Sequence, residues 1–92
     1  MDMYNFDMLS KELEVGREIE FEYNKNQYSI TNSTDGYWYF YCDSTKKELL
    51  KICEFDDKQK LIKTMAEYKI DGTSIRDIFD LFKYNIESLS IL

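Results

Sequence analysis

The chain has 92 residues, 43% hydrophobic and 16% aromatic, with no proline and a net charge of −6; this suffices for one core, is too short for two, and excludes the aromatic-poor composition of a disordered tail. No apolar run approaches the roughly 18 residues of a membrane helix, and residues 1–7 lack the basic start and apolar stretch of a signal peptide, so a single cytoplasmic domain spanning 1–92, without membrane contact, is expected. Up to Tyr23 seven acids face only Lys11 and Arg17, whereas the remainder is nearly balanced; no basic stripe is present to neutralise phosphates or anionic lipid, and direct nucleic-acid binding is not expected.

Residues 4–15 place Phe6, Leu9 and Leu13, with Met8 as a further candidate, at helical spacing between Lys11, Glu12 and Glu14, and Gly16 stands where a helix end favours glycine. The period then changes to two. In residues 18–23, Ile19, Phe21 and Tyr23 share one face of a strand and Glu18, Glu20 and Glu22 the other. Residues 24–27 read as a turn and 28–31 as a second strand. Asp35-Gly36 closes the next reversal, and Tyr37-Trp38-Tyr39-Phe40-Tyr41-Cys42 is the third strand. Residues 43–47 form a polar loop. Residues 49–55 suit either a fourth strand or a helix start, and the strand is preferred.

Asp56 and Gln59 have capping-box spacing ahead of a helix over 57–68 with Leu61, Ile62, Met65 and Tyr68 as its stripe. Asp71-Gly72 breaks it. Ser74 then caps a closing helix lined by Ile75, Ile78, Phe79 and Phe82, and residues 85–92 alternate weakly, as an edge strand would. The expected fold is α+β: an N-terminal helix, an antiparallel meander of three to four strands, and two C-terminal helices packed on one face of the sheet.

Gly16-Arg17-Glu18-Ile19-Glu20-Phe21-Glu22-Tyr23-Asn24, followed by Tyr28-Ser29-Ile30-Thr31, and the later Lys69-Ile70-Asp71-Gly72-Thr73-Ser74-Ile75-Arg76-Asp77-Ile78-Phe79 resemble segments of small uncharacterised accessory proteins of low-GC Gram-positive bacteria and their mobile elements. The resemblance covers about a quarter of the chain. It implies a bacterial or phage accessory protein and transfers no activity, cofactor or site residue.

The missing chemistry is informative. There is no histidine, the commonest general base and metal ligand, and the three glycines are isolated, so no phosphate-cradling loop exists. No enzyme activity, cofactor or metal is expected. A remote enzymatic alternative rests on Cys53 or a carboxylate. Pairing the third and fourth strands so that Lys51 stays off the core would group Trp38, Phe40 and Cys42 with Leu50 and Ile52, turn Cys53 to the opposite face, and leave both thiols free.

Alternation along the third strand separates Trp38, Phe40 and Cys42, assigned to the core, from Tyr37, Tyr39 and Tyr41. These tyrosines, with Glu18, Glu20 and Glu22, are the candidate partner-binding face, because tyrosine anchors interfaces at low entropic cost. Helices covering both faces would instead make the tyrosines core. The expected function is a protein-binding module for a heterologous partner or a homodimer. The alternative is a small acidic inhibitor, of phage origin, imitating nucleic-acid charge.

Overall fold

The structure is a computed structural model that describes residues 3–92; Met1 and Asp2, part of the acid-rich opening segment, lie outside the described residues. Helix α1 (Phe6–Glu14) buries Phe6, Leu9 and Leu13 as their spacing implied, while Met8, the further candidate, is exposed. Asn5 caps its start by accepting from the Met8 amide at 2.9 Å. At its end Gly16, at φ 91°, lets its own amide reach the Leu13 carbonyl and the Arg17 amide reach Glu12, the bond pair that closes a helix through a left-handed residue.

Strands β1 (Ile19–Tyr23) and β2 (Asn26–Asn32) form a hairpin whose turn is only Asn24 and Lys25, both left-handed at φ 51° and 67°. Two such residues match the twist of the flanking strands, so Asn26 and Gln27, expected in the turn, join the ladder opposite Tyr23 and Glu22. Strand β3 (Tyr37–Cys42) spans the expected residues, and β4 (Lys47–Glu54) pairs with it, which makes the ambiguous stretch a strand. Helix α2 (Lys58–Glu67) follows. A small hairpin of β5 (Lys69–Ile70) and β6 (Thr73–Ser74) turns through Asp71-Gly72 into helix α3 (Ile75–Asp80), and β7 (Asn85–Ile91) pairs with β1. The main sheet is antiparallel in the order β4-β3-β2-β1-β7, one strand more than the expected meander because the tail returns beside β1.

All three helices pack on one face of this sheet. Leu9, Leu13, Leu61, Met65, Ile78 and Phe79 join Ile19, Phe21, Ile30, Trp38 and Phe40 in a single core. Phe79 meets Phe21 edge-on at 5.1 Å between ring centres, and Tyr68 meets Phe40 at 5.0 Å. Aromatic pairs in these arrangements add about 0.5–1.5 kcal/mol each beyond the area they bury.

Three further expectations are corrected. The cap of α2 is Asp57, not Asp56: the Asp57 amide first closes a turn onto the Glu54 carbonyl, so the helix starts one residue later, with Asp57 accepting from Lys60. Phe82 does not extend the stripe of α3. The helix stops at Asp80, and Phe82 takes the left-handed position at φ 53°, where its amide bonds to Phe79 and the Lys83 amide to Ile78. This is the termination seen at Gly16, with a phenylalanine in the glycine's place.

The third correction concerns Cys53. Strand β4 carries two bulges: Trp38 pairs with Cys53 while Tyr39 pairs with Lys51, and Phe40 pairs with Leu50 while Tyr41 pairs with Glu48. The extra residue Ile52 lets both it and Cys53 enter the core, since a bulge sets two residues against one. Lys51 stays off the core as expected, and both thiols are free and buried.

Candidate functional site

The open face of the sheet is ordered by register. Glu20, Ser29, Tyr41 and Glu48 form one cross-strand row, and Thr31, Tyr39 and Lys51 the next. Tyr37 lies beyond them opposite Glu54. Alternation puts Glu18 and Glu22 on the same side as Glu20. The structure thus brings together all six residues singled out from the sequence: the glutamates along β1 and its approach, the tyrosines along β3, and the hydroxyl residues Ser29 and Thr31 between them.

The tyrosines differ in their surroundings. Tyr37 and Tyr41 are half-buried. Tyr39 is only 9% exposed, yet it belongs to no part of the core cluster; its neighbours on the open face shade it. Its ring lies 5.9 Å from that of Tyr41. The Lys51 ammonium sits 4.0 Å above the Tyr37 ring centre and 5.9 Å from that of Tyr39. The Tyr39 hydroxyl donates to Asp35, which pushes the phenol up to about 12 and holds the Asp35 carboxyl below its usual range. Asp35 also accepts from the Tyr37 amide at 3.0 Å, an Asx turn that starts β3.

The glutamates are unequal too. Glu18 accepts from the Asn32 amide at 3.0 Å and Glu22 from the Asn85 side chain at 2.9 Å. Glu20 has no side-chain hydrogen bond among the described residues. Asp43 receives the hydroxyl of Ser29, which is 3% exposed although no helix lies over it. Sequence reasoning missed Asp35, Asp43 and Glu48 as members of this face, whereas the expected register had already kept Lys51 off the core. Asp35 carried a local signal, two residues before Tyr37 in an Asp-Gly turn; the others reach the face through register and loop closure.

Both edges of the sheet are blunted. Strand β4 has its two bulges and the charges of Lys47, Glu48 and Lys51. In β7 the pairing jumps from Glu20–Ser90 to Glu22–Asn85, and the Glu22 amide donates to the Ser88 hydroxyl at 2.7 Å in place of a ladder carbonyl. Bulges and charges of this kind discourage strand addition.

Beside Tyr37 lies a cleft of about 370 Å3 lined by Lys51, Ile52, Cys53, Glu54, Asp57 and Lys60. Burial, reinforced by the charge of Asp57, pushes the Cys53 thiol up, and its sulfur donates to the Asp57 carbonyl at 3.4 Å. A raised thiol holds its proton at neutral pH, opposite to what a nucleophile needs. Among the described residues, no three acidic, cysteine or histidine side chains cluster as metal ligands would, and no helix is long and apolar enough to cross a membrane. No family model, curated protein or solved structure matches the chain.

Proposed function

We propose that the protein is a non-enzymatic binding module that holds a protein partner on the open face of its sheet, through Tyr37, Tyr39 and Tyr41 with Glu18, Glu20 and Glu22. One observation carries the reading: every helix lies on the other face, leaving Tyr37 and Tyr41 half-exposed on either side of a shaded Tyr39 in a sheet whose edges both resist pairing. Tyrosine offers a broad ring with a polar tip and loses little freedom on binding. The protonated Cys53 argues against the enzymatic alternative.

Capture from the native cell tests this. A partner should be retained by the wild type and by Glu14→Gln on α1, and lost from a Tyr37→Ser/Tyr41→Ser variant. Retention by that double variant would overturn the reading. Light scattering on the purified chain separates a heterologous partner from a homodimer.

The carboxylates on the same face favour a second reading, an acidic inhibitor that imitates nucleic-acid charge. Alternate residues on a strand stand roughly 6.7 Å apart, far sparser than one charge per roughly 1.7 Å of duplex axis, so it ranks below the first. Changing Glu18, Glu20 and Glu22 together to glutamine should abolish mimicry and largely spare binding through the tyrosines.

A further inference from the structure

We propose that the surface received by this face is cationic and bears arginine; the inference rests on the binding-module reading and names the chemistry of its partner. The first support is charge asymmetry. The helices carry six acids against five bases. The open face presents Glu18, Glu20, Glu22, Glu48 and, opposite Tyr37, Glu54, with Asp35 and Asp43 bonded to its Tyr39 and Ser29, against Lys51 as the one base among the described residues of these rows. A second copy would bring the same excess against itself, and like charges across an interface are repulsive. A basic partner is attracted.

The second support is how this chain seats its own cations. Lys51 lies over Tyr37, the Lys58 ammonium 3.8 Å from the Phe55 ring centre, and Arg76 5.0 Å from that of Phe6. Tyr41 has no cation on its ring among the described residues. It is half-buried, it pairs across the ladder with Glu48, and Glu20 stands beyond Ser29 on its other side. A guanidinium laid on the Tyr41 ring would have Glu48 on the neighbouring strand and Glu20 two strands away in the same row. Arginine suits this seat better than lysine because its planar group stacks on a ring while its edge bonds a carboxylate.

The test uses the full chain and a nona-arginine peptide, followed by amide NMR at low and moderate salt. Shifts should concentrate on the open-face residues of β1 to β4. Tyr41→Leu should weaken binding about threefold, as loss of an exposed cation–ring contact does. A Glu20→Gln/Glu48→Gln pair should weaken it about fivefold, while Glu14→Gln/Glu67→Gln on the helices leaves it unchanged. Nona-lysine should bind more weakly and lose less than nona-arginine on Tyr41→Leu. Shifts spread over the helices, equal loss in the helix pair, or indifference of nona-arginine to Tyr41→Leu would each overturn the proposal, since they indicate attraction by net charge alone. A dimer joined through this face at low salt would overturn it in favour of a second copy. Any of these results leaves tyrosine-dependent capture standing, whereas capture that survives loss of the tyrosines removes the binding-module reading itself.

Discussion

Phe40 and Tyr41 are consecutive residues of β3 in opposite environments. Phe40 is wholly buried, stacked on Tyr28 at 5.7 Å and met edge-on by Tyr68. Tyr41 stands half-buried on the open face, between Ser29 and Glu48. Along the sheet the difference is one of degree: Phe21, Tyr28 and Phe40 on the covered face pack on other rings, while on the open face Tyr37 carries Lys51 and Tyr39, beside Tyr41, bonds Asp35. Aromatic content alone therefore does not mark a core. What an aromatic side chain contributes depends on which layer its strand turns it toward, stability on one side and a surface for recognition on the other.

The sharpest way to break this comparison is to truncate both residues. Phe40→Ala removes a fully buried ring from a well-packed site and should cost about 3–5 kcal/mol, a large share of the roughly 5–14 kcal/mol available to a domain of this length. Tyr41→Ala should cost less than about 1.5 kcal/mol, because its ring is already partly hydrated. Urea unfolding of the two variants measures the difference. Equal losses would mean that the open face is covered in solution.

The division of β3 was legible because alternation is a property of the strand itself and needs no partner. So were α1, where apolar spacing and Gly16 agree, and the Ser74 cap. The bulges of β4 were not. Ile52 and Cys53 are adjacent and both suit a core, so the pattern does not say which is the extra residue; only pairing with Trp38 and Tyr39 decides. The two-residue turn Asn24-Lys25 lacks the glycine that would have marked it. The stop at Phe82 was hidden for the same reason, since a bulky residue held left-handed runs against its local preference. At the candidate site all six named residues lie on one face and Lys51 joins them as the expected register implied, while Glu48 reaches Tyr41 through a bulge that no local pattern encodes.

A smaller effect tests how the covering layer is anchored. Strand β4 passes into α2 through the turn from Glu54, and Asp57 then accepts from the Lys60 amide at 3.2 Å. Asp57→Ala should cost about 1 kcal/mol, the usual value of an N-cap. Asp56→Ala, one residue earlier and exposed, should change stability by less than about 0.5 kcal/mol. Thermal unfolding of the pair decides between them. The reverse order would restore the capping box read from Asp56 and Gln59 and shift the start of the helix.

The smallest effect separates the two faces by the reason each holds a phenol protonated. Under the helices, Tyr28 and Tyr84 are raised mainly by burial. On the open face Tyr39 is pushed up to about 12 first by its bond to Asp35. A raised phenol adds stability that is fully present below its ordinary value of 10.0 and is lost as pH rises through about 12. Asp35, held low, adds stability present above its ordinary 3.8 and lost as pH falls through its depressed value. The stability difference between wild type and Asp35→Asn should therefore be flat across the neutral range and shrink at both ends. Urea unfolding at several pH values reads the difference, and phenolate absorbance shows whether one tyrosine ionises earlier in the variant. If Asp35→Asn leaves the whole alkaline titration unchanged, burial alone holds Tyr39, and in this respect the open face behaves like the core.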